Sequence, residues 1–387
     1  MRHVFVLMFG NFAIGTAAYV YAGLLEPLAA DLGVSVGAAG QLASTYAIAY
    51  AVAAPLLVIL TSRFSRKALL SVAMLLFTLC NLGMVFAPSF GALMGVRVVA
   101  ALAAALYTPI SLAVAAYLAK PEQRGLALAL TTGGISLAFV IGIPVGTVLG
   151  GAYGWRVSFY LSTGVAVAAL ILVLFALPKV KMQQHSNPQV LKVLQRGDIF
   201  GLLAVTALAF VSGFCVFAFI GPVVNLITGL GADATGGFIL AFGVASVVGT
   251  VLGGVLADRS KPLRSISAAV GLLLASNLCF SLFTYVEGQT LSVAGAVLAN
   301  VLAGLSLFSL IPLVQYLLVK AAPEQSSVVL GFNASMLFLG QGLGAAMGGV
   351  VVGTFGISNN GYVAAGVALL TLMFIAFGPL RGFDRTQ

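Results

Sequence analysis

Thr108–Gly125 reads TPISLAVAAYLAKPEQRG, and half a chain later Ile311–Ser327 reads IPLVQYLLVKAAPEQSS. A proline, an apolar half-helix and a Pro-Glu-Gln turn recur in the same order, which marks an internal duplication. A glycine ladder follows each turn: Gly133, Gly142, Gly146 and Gly150 in the first copy, Gly331, Gly340, Gly344 and Gly348 in the second. Both ladders keep a 9, 4, 4 spacing. Two like-built halves are expected to face each other.

Composition sets the solvent for those halves. Of 387 residues, 61% are hydrophobic and 7% charged, too few charges to cover a water-soluble globule of that size. A helix crosses the hydrocarbon in about 20 apolar residues. The charge-free runs predict twelve spans, near 4–27, 39–62, 68–87, 90–119, 125–150, 156–177, 199–228, 235–257, 265–285, 290–319, 326–354 and 360–379. Lipid offers no partners to backbone N–H and C=O groups, so these are helices, and their unbroken apolarity argues against an alternating β-barrel. The fold class expected is an all-α membrane protein of two pseudo-symmetric six-helix bundles. Residues 1–177 and 199–387 form the bundles, and 178–198 the loop between them.

Lysine and arginine orient the chain. Sixteen of the 18 basic residues fall at the N-terminus, in even-to-odd loops or at the C-terminus, among them Arg2, Arg63, Arg66, Lys67, Lys120, Arg196, Arg259, Lys320 and Arg381. Those segments and both termini are expected on the cytoplasmic side. Arg156 lies on the other side and Arg97 inside a span. The net charge of +9 is therefore mostly topological bias and implies no nucleic-acid partner. Cys80, Cys215 and Cys279 sit far apart in apolar helices and suggest neither a disulfide frame nor a metal site. His3 and His185 have no neighbouring ligands. The first apolar run is too long for a cleavable signal, and eleven more follow it.

Polar residues inside spans mark what faces inward, because they are costly in lipid. Span 1 places Asn11, Gly15, Ala18, Ala22 and Glu26 on one helical face. Glu26 is the only acid inside a predicted span. Span 2 brings Gln41, Ser44, Tyr46 and Tyr50, span 4 Thr108, span 10 Asn300 and span 11 Asn333 and Gln341. Phe210, Phe214 and Phe217 form a stripe on span 7, which reads first as lipid-facing surface or core and only second as cavity lining. Together Asn11, Ala18, Tyr46, Tyr50, Thr108, Phe214, Asn300, Asn333 and Gln341 suggest an amphipathic substrate cavity without negative charge.

After span 2 comes Ser62-Arg63-Phe64-Ser65-Arg66-Lys67. Its counterpart Gly254, Leu256, Ala257, Asp258, Arg259 spells G-x-L-A-D-R, 196 residues after the Val58–Arg63 stretch. With these loops, the duplication and the long central loop, the whole chain resembles a major facilitator superfamily transporter. Within it, the chain is similar to the twelve-span drug-proton antiporter group, which includes sugar and nucleoside exporters. AGLLEPLAADLGVS (Ala22–Ser35), Arg97 preceded by Leu93, and the span 5 pattern Gly133, Gly142, Gly146, Thr147, Gly150, Gly151 carry this.

Thr147 replaces the pattern's proline, and Pro144 lies three residues earlier. The resemblance implies a cytoplasmic gate at Ser62, Arg63, Arg66, Lys67, Asp258 and Arg259. Ser62 stands where the family usually has aspartate, and Val58 and Ser65 where it has glycine. Ala18 stands where many relatives carry a membrane-embedded acid. The family's helices bearing the glycine ladders meet across the two halves, so Gly142, Pro144, Gly146, Gly150, Gly340, Gly344 and Gly348 are expected along a rocking seam.

An unbroken helix rising about 1.5 Å per residue would bring Glu26 and Arg97 to similar heights, where they are expected to pair. Arg97 then contacts substrate or sets the proton affinity of Glu26; the alternatives are a structural arginine reaching the interface through its stem and, for Glu26, an interfacial loop acid. No phosphate loop, paired carboxylates or metal-spaced ligands appear, so no enzyme and no cofactor is implied. The reading is a monomeric secondary transporter of the bacterial cytoplasmic membrane, exporting a small neutral or anionic compound against protons. A facilitator of the same fold and a non-transporting sensor are the alternatives.

Overall fold

The computed structural model describes residues 2–61, 64–120, 124–178, 193–229, 232–259, 262–285, 289–323 and 325–382. Every regular element among them is helical. Among the described residues eleven helices are long and apolar enough to cross a membrane, and Val36–Leu60 occupies the place of the second span. In order they are span 1 (Arg2–Leu32), span 2 (Val36–Leu60), span 3 (Arg66–Val85), span 4 (Phe90–Leu118), span 5 (Arg124–Tyr153) and span 6 (Trp155–Ala176). The second set is span 7 (Gly197–Thr228), span 8 (Ala232–Arg259), span 9 (Pro262–Phe283), span 10 (Gln289–Ala321), span 11 (Ser326–Phe355) and span 12 (Asn360–Phe377). Residues 179–192 of the predicted central loop, and Ser62 and Arg63, lie outside the described residues.

The duplication is visible in the backbone. Span 1 is α-helical to Tyr19, tightens to a 3-10 turn over Val20–Leu24 and resumes over Leu25–Leu32. Span 7 is interrupted at Ala218–Phe219 and resumes over Ile220–Thr228. Pro27 and Pro222 each sit in the first turn of the resumed segment, where a missing N–H costs nothing. Gly33 (φ 65°) and Gly229 (φ 68°), again 196 residues apart, end those segments in the left-handed conformation that glycine accepts most readily. Their N–H groups bond Ala29 O and Asn225 O. Span 5 carries a five-residue π-helical turn over Ala138–Gly142, just before Pro144. Pro144 lacks the N–H that would bond Val140, and the wider turn absorbs the gap.

The glycine ladders do bring backbones close, but inside each half. A Cβ on Gly142 would strike Thr16, on Gly146 Val20, and on Gly150 Leu24 and Ser158, all within the first six spans. On Gly340, Gly344 and Gly348 it would strike the carbonyls of Ala207, Val211 and Cys215 in span 7. The expected seam between halves is thus corrected: the four-residue stripes seat span 5 on span 1 and span 11 on span 7. Other small residues join the halves. Gly37 meets the carbonyl of Gly349, Gly342 meets Ile48, Gly236 meets Val148 and the carbonyl of Pro144, and Gly243 meets the carbonyl of Phe139.

The termini end is tied within each half. His3 Nδ1 lies 2.8 Å from Ala176 O, Lys67 Nζ donates to Leu177 O at 2.6 Å, and Arg196 pairs with Asp198 (2.6 Å) and donates to Ala321 O. At the opposite end, called distal below, Arg156 pairs with Asp31 at 2.5 Å, donates to Val85 O and lies against the Trp155 ring. This one basic residue of the distal loops therefore staples spans 1, 3 and 6. Its side chain is 40% exposed, and exposed pairs contribute little. Arg156→Gln is expected to change stability by at most about 1 kcal/mol, read as a small shift in thermal unfolding in detergent.

A caged arginine and an aromatic centre as candidate functional site

Arg97 lies on span 4, whose N-terminus is capped by Ser89 accepting from Ala92 N. The side chain is 1% exposed. A cation inside a span costs at least about 2.5 kcal/mol unless it is compensated. Its compensation is backbone: Nη1 donates to Ala17 O and Nη2 to Ala18 O, both at 3.0 Å, and Nε to Leu42 O at 3.4 Å. These span 1 carbonyls lie just before the helix tightens, where bonding within the helix is irregular. The guanidinium also rests on the rings of Tyr46 (4.6 Å) and Tyr21 (4.8 Å).

The expected Glu26–Arg97 pair does not form. Glu26 Oε2 instead accepts from Asn225 Nδ2 of span 7 at 2.8 Å. An unbroken α-helix was assumed, whereas Val20–Leu24 is a five-residue 3-10 turn. Such a turn advances about 120° per residue rather than about 100°, so five residues turn Glu26 by about 100°. That carries it from span 4 towards span 7. Among the described residues Arg97 forms no ion pair.

Inward of Glu26 the two halves meet in a cluster of rings. Phe139, set in the π-helical turn of span 5, packs on Tyr19 (4.9 Å), Phe242 (5.5 Å), Phe217 and Phe308 (both 5.7 Å between centroids). Phe214 joins through Tyr19. The Phe210, Phe214 and Phe217 stripe is thus buried rather than lipid-facing, and Phe214 and Phe217 meet the first half at Tyr19 and Phe139. A polar handle borders it, since Tyr19 donates to Gln341 Oε1 at 2.7 Å. Tyr50 bonds Thr108 and stacks on Phe338 of span 11 at 3.7 Å.

The remaining predicted cavity residues divide. Ala18 and Tyr46 belong to the arginine cage, and the Tyr46 hydroxyl is buried without a hydrogen-bond partner. Asn11 donates to Ser111, and its Oδ1 is also unpartnered. Asn333 accepts from Thr206, and Asn300 donates to the carbonyl of Phe238. These amides tie neighbouring spans inside one half and do not converge with Gln341 on one pocket. Of the predicted gate, Arg66 is buried at the start of span 3 and Lys67 is bonded to Leu177. Ser62 and Arg63, and the side chains of Asp258 and Arg259, lie outside the described residues. Tyr19, Tyr21 and Phe139 escaped the sequence reading: Phe139 carries no polar atom, and the hydroxyls of Tyr19 and Tyr21, of the same kind as those that singled out Tyr46 and Tyr50, were the signal that could have found the other two.

Two duplicated six-span sets joined around a buried charge and an aromatic centre define a membrane transporter rather than an enzyme. The chain belongs to the Major Facilitator Superfamily, whose family model matches residues 7–345. It is 32% identical over 377 residues to the inner membrane transport protein YdhP of Escherichia coli (strain K12), covering 96% of this chain and 95% of that one. It is 28% identical over 381 residues to a probable sugar efflux transporter of Mannheimia succiniciproducens, covering 97% and 94%. The fold matches a D-xylose-proton symporter with a TM-score of 0.81 at 16% identity, over 98% of both chains.

Proposed function

We propose that this transporter exports a small uncharged or anionic amphipathic compound from the bacterial cytoplasm in exchange for protons, by alternating access of two six-span halves. The supporting observation is the asymmetry of the joins. Tyr19–Gln341, Gln41–Ala346, Glu26–Asn225 and the glycine contacts of spans 2 and 11 and of spans 5 and 8 lie from mid-depth to the distal end. The bonds named at the termini end stay within one half. A bundle closed at one end by small-residue contacts is one state of a rocking pair. On this reading the basic loops and both termini face the cytoplasm, the chain works as a monomer in the inner membrane, and substrate binds among the rings near Tyr19 and Gln341.

The charge pattern supports the substrate class. Ala18 stands where the family resemblance implies an acid, and Arg97 carries a cation that no carboxylate among the described residues offsets. Such a centre repels lipophilic cations and admits neutral or anionic compounds with an aromatic or sugar-like face. The likeness to a relative named a probable sugar efflux transporter supports the direction.

The test is cellular accumulation of cations, neutral phenicols, sugars, nucleosides and organic anions in an efflux-deficient host, with and without an uncoupler. Reduced accumulation of a neutral or anionic compound, reversed by the uncoupler, is expected. Uptake that ignores the uncoupler would replace antiport by facilitation.

A further inference from the structure

Glu26 is placed where a proton would act on the distal seal. Its Oε2 and Asn225 Nδ2 form a hydrogen bond between a carboxylate of span 1 and an amide of span 7. Beside it the two backbones touch: a Cβ on Gly221 would lie 3.0 Å from Ala22 O and 3.2 Å from Gly23 O. The bond therefore sits on the line where the halves must part for distal opening. Both partners are half-buried and stand within two turns of Gly33 and Gly229, where their segments end.

Among the described residues Glu26 forms no ion pair. Span 2, span 11 and the Ile220–Thr228 segment carry no charged residue. Asp31, on the same segment as Glu26, is held by Arg156 and Trp155. Arg97 is spent on carbonyls of spans 1 and 2. The nearest other acid in sequence to Asn225 is Asp233, whose side chain lies outside the described residues.

We propose that Glu26 and Asn225 form a proton-operated latch, closed when Glu26 is ionised and released when a proton from the distal solution neutralises it. The inference rests on the alternating-access reading and names the group through which distal protons act on the seal. A hydrogen bond to an ionised acceptor is about twice as strong as a neutral one. Adding one proton to the carboxylate leaves Asn225 donating to a neutral carboxyl, without breaking any covalent bond. The weaker bond is expected to raise the distal-open population about tenfold.

The test is a distance measurement between spin labels at the exposed positions Ala30 and Leu226, in a Cys279→Ser background, since Cys80 and Cys215 are buried. Acidifying from about pH 8 to about pH 4 is expected to lengthen the distance in the otherwise unmodified protein. Glu26→Gln is expected to show the open population at both pH values. Asn225→Asp is the sharper variant: two carboxylates repel at high pH and share a proton at low pH, so the pH response reverses. A merely structural contact would not reverse. A pH response that survives in Glu26→Gln, or that keeps its sign in Asn225→Asp, overturns the latch alone. A distance fixed in every variant and at every pH overturns both the latch and alternating access.

Discussion

Gly344→Ala is expected to lose about 2–3 kcal/mol of stability, while Gly331→Ala, in the same ladder, gains up to about 1 kcal/mol. The opposite signs follow from what each new methyl would meet. At Gly344 it would lie against Val211, with the backbone carbonyl carbon and Cα both at 3.0 Å and the carbonyl oxygen closer still. Backbone cannot swing aside as a side-chain tip can, so spans 7 and 11 must separate and lose dispersion along the stripe that Gly340 and Gly348 continue. Gly331 has nothing within 4 Å, so the only effect of alanine there is a better helix former. Thermal unfolding in detergent, with monodispersity on size exclusion, measures both. Equal effects at the two positions would mean that the ladder does not pack as described.

Arg97→Ala is expected to reduce transport at least a hundredfold, and Arg97→Lys about tenfold, with both proteins still inserted. Each hydrogen bond from a charged donor contributes about 1.5–3 kcal/mol. Alanine leaves the carbonyls of Ala17, Ala18 and Leu42 without their donor, at the place where span 1 changes pitch. Lysine keeps the charge but presents a point donor to a site built for a planar fork, and it loses the flat stacking on Tyr21 and Tyr46. Vesicle transport of the compound found by accumulation, normalised to protein in the membrane, separates these effects from insertion. Wild-type transport by Arg97→Lys would show that charge alone suffices and would remove the cage from the mechanism.

The apolar runs, the duplication and the loop charges determined by themselves that this chain crosses a membrane as two related bundles. Those signals are local or periodic, and lipid leaves the backbone no choice but helix. The sequence also singled out Arg97, Glu26 and Gln341, because polar groups in spans are costly enough to stand out. Only the tertiary structure decided their partners. The five residues of 3-10 helix in span 1 rotated Glu26 to Asn225 and left Arg97 to backbone carbonyls. It likewise assigned the glycine ladders to packing within each half, since a stripe of small residues permits close approach without saying which helix approaches. The aromatic centre around Phe139 was illegible for the same reason: a ring in an apolar helix fits lipid, core or cavity equally well, and only the packing of both halves distinguishes them.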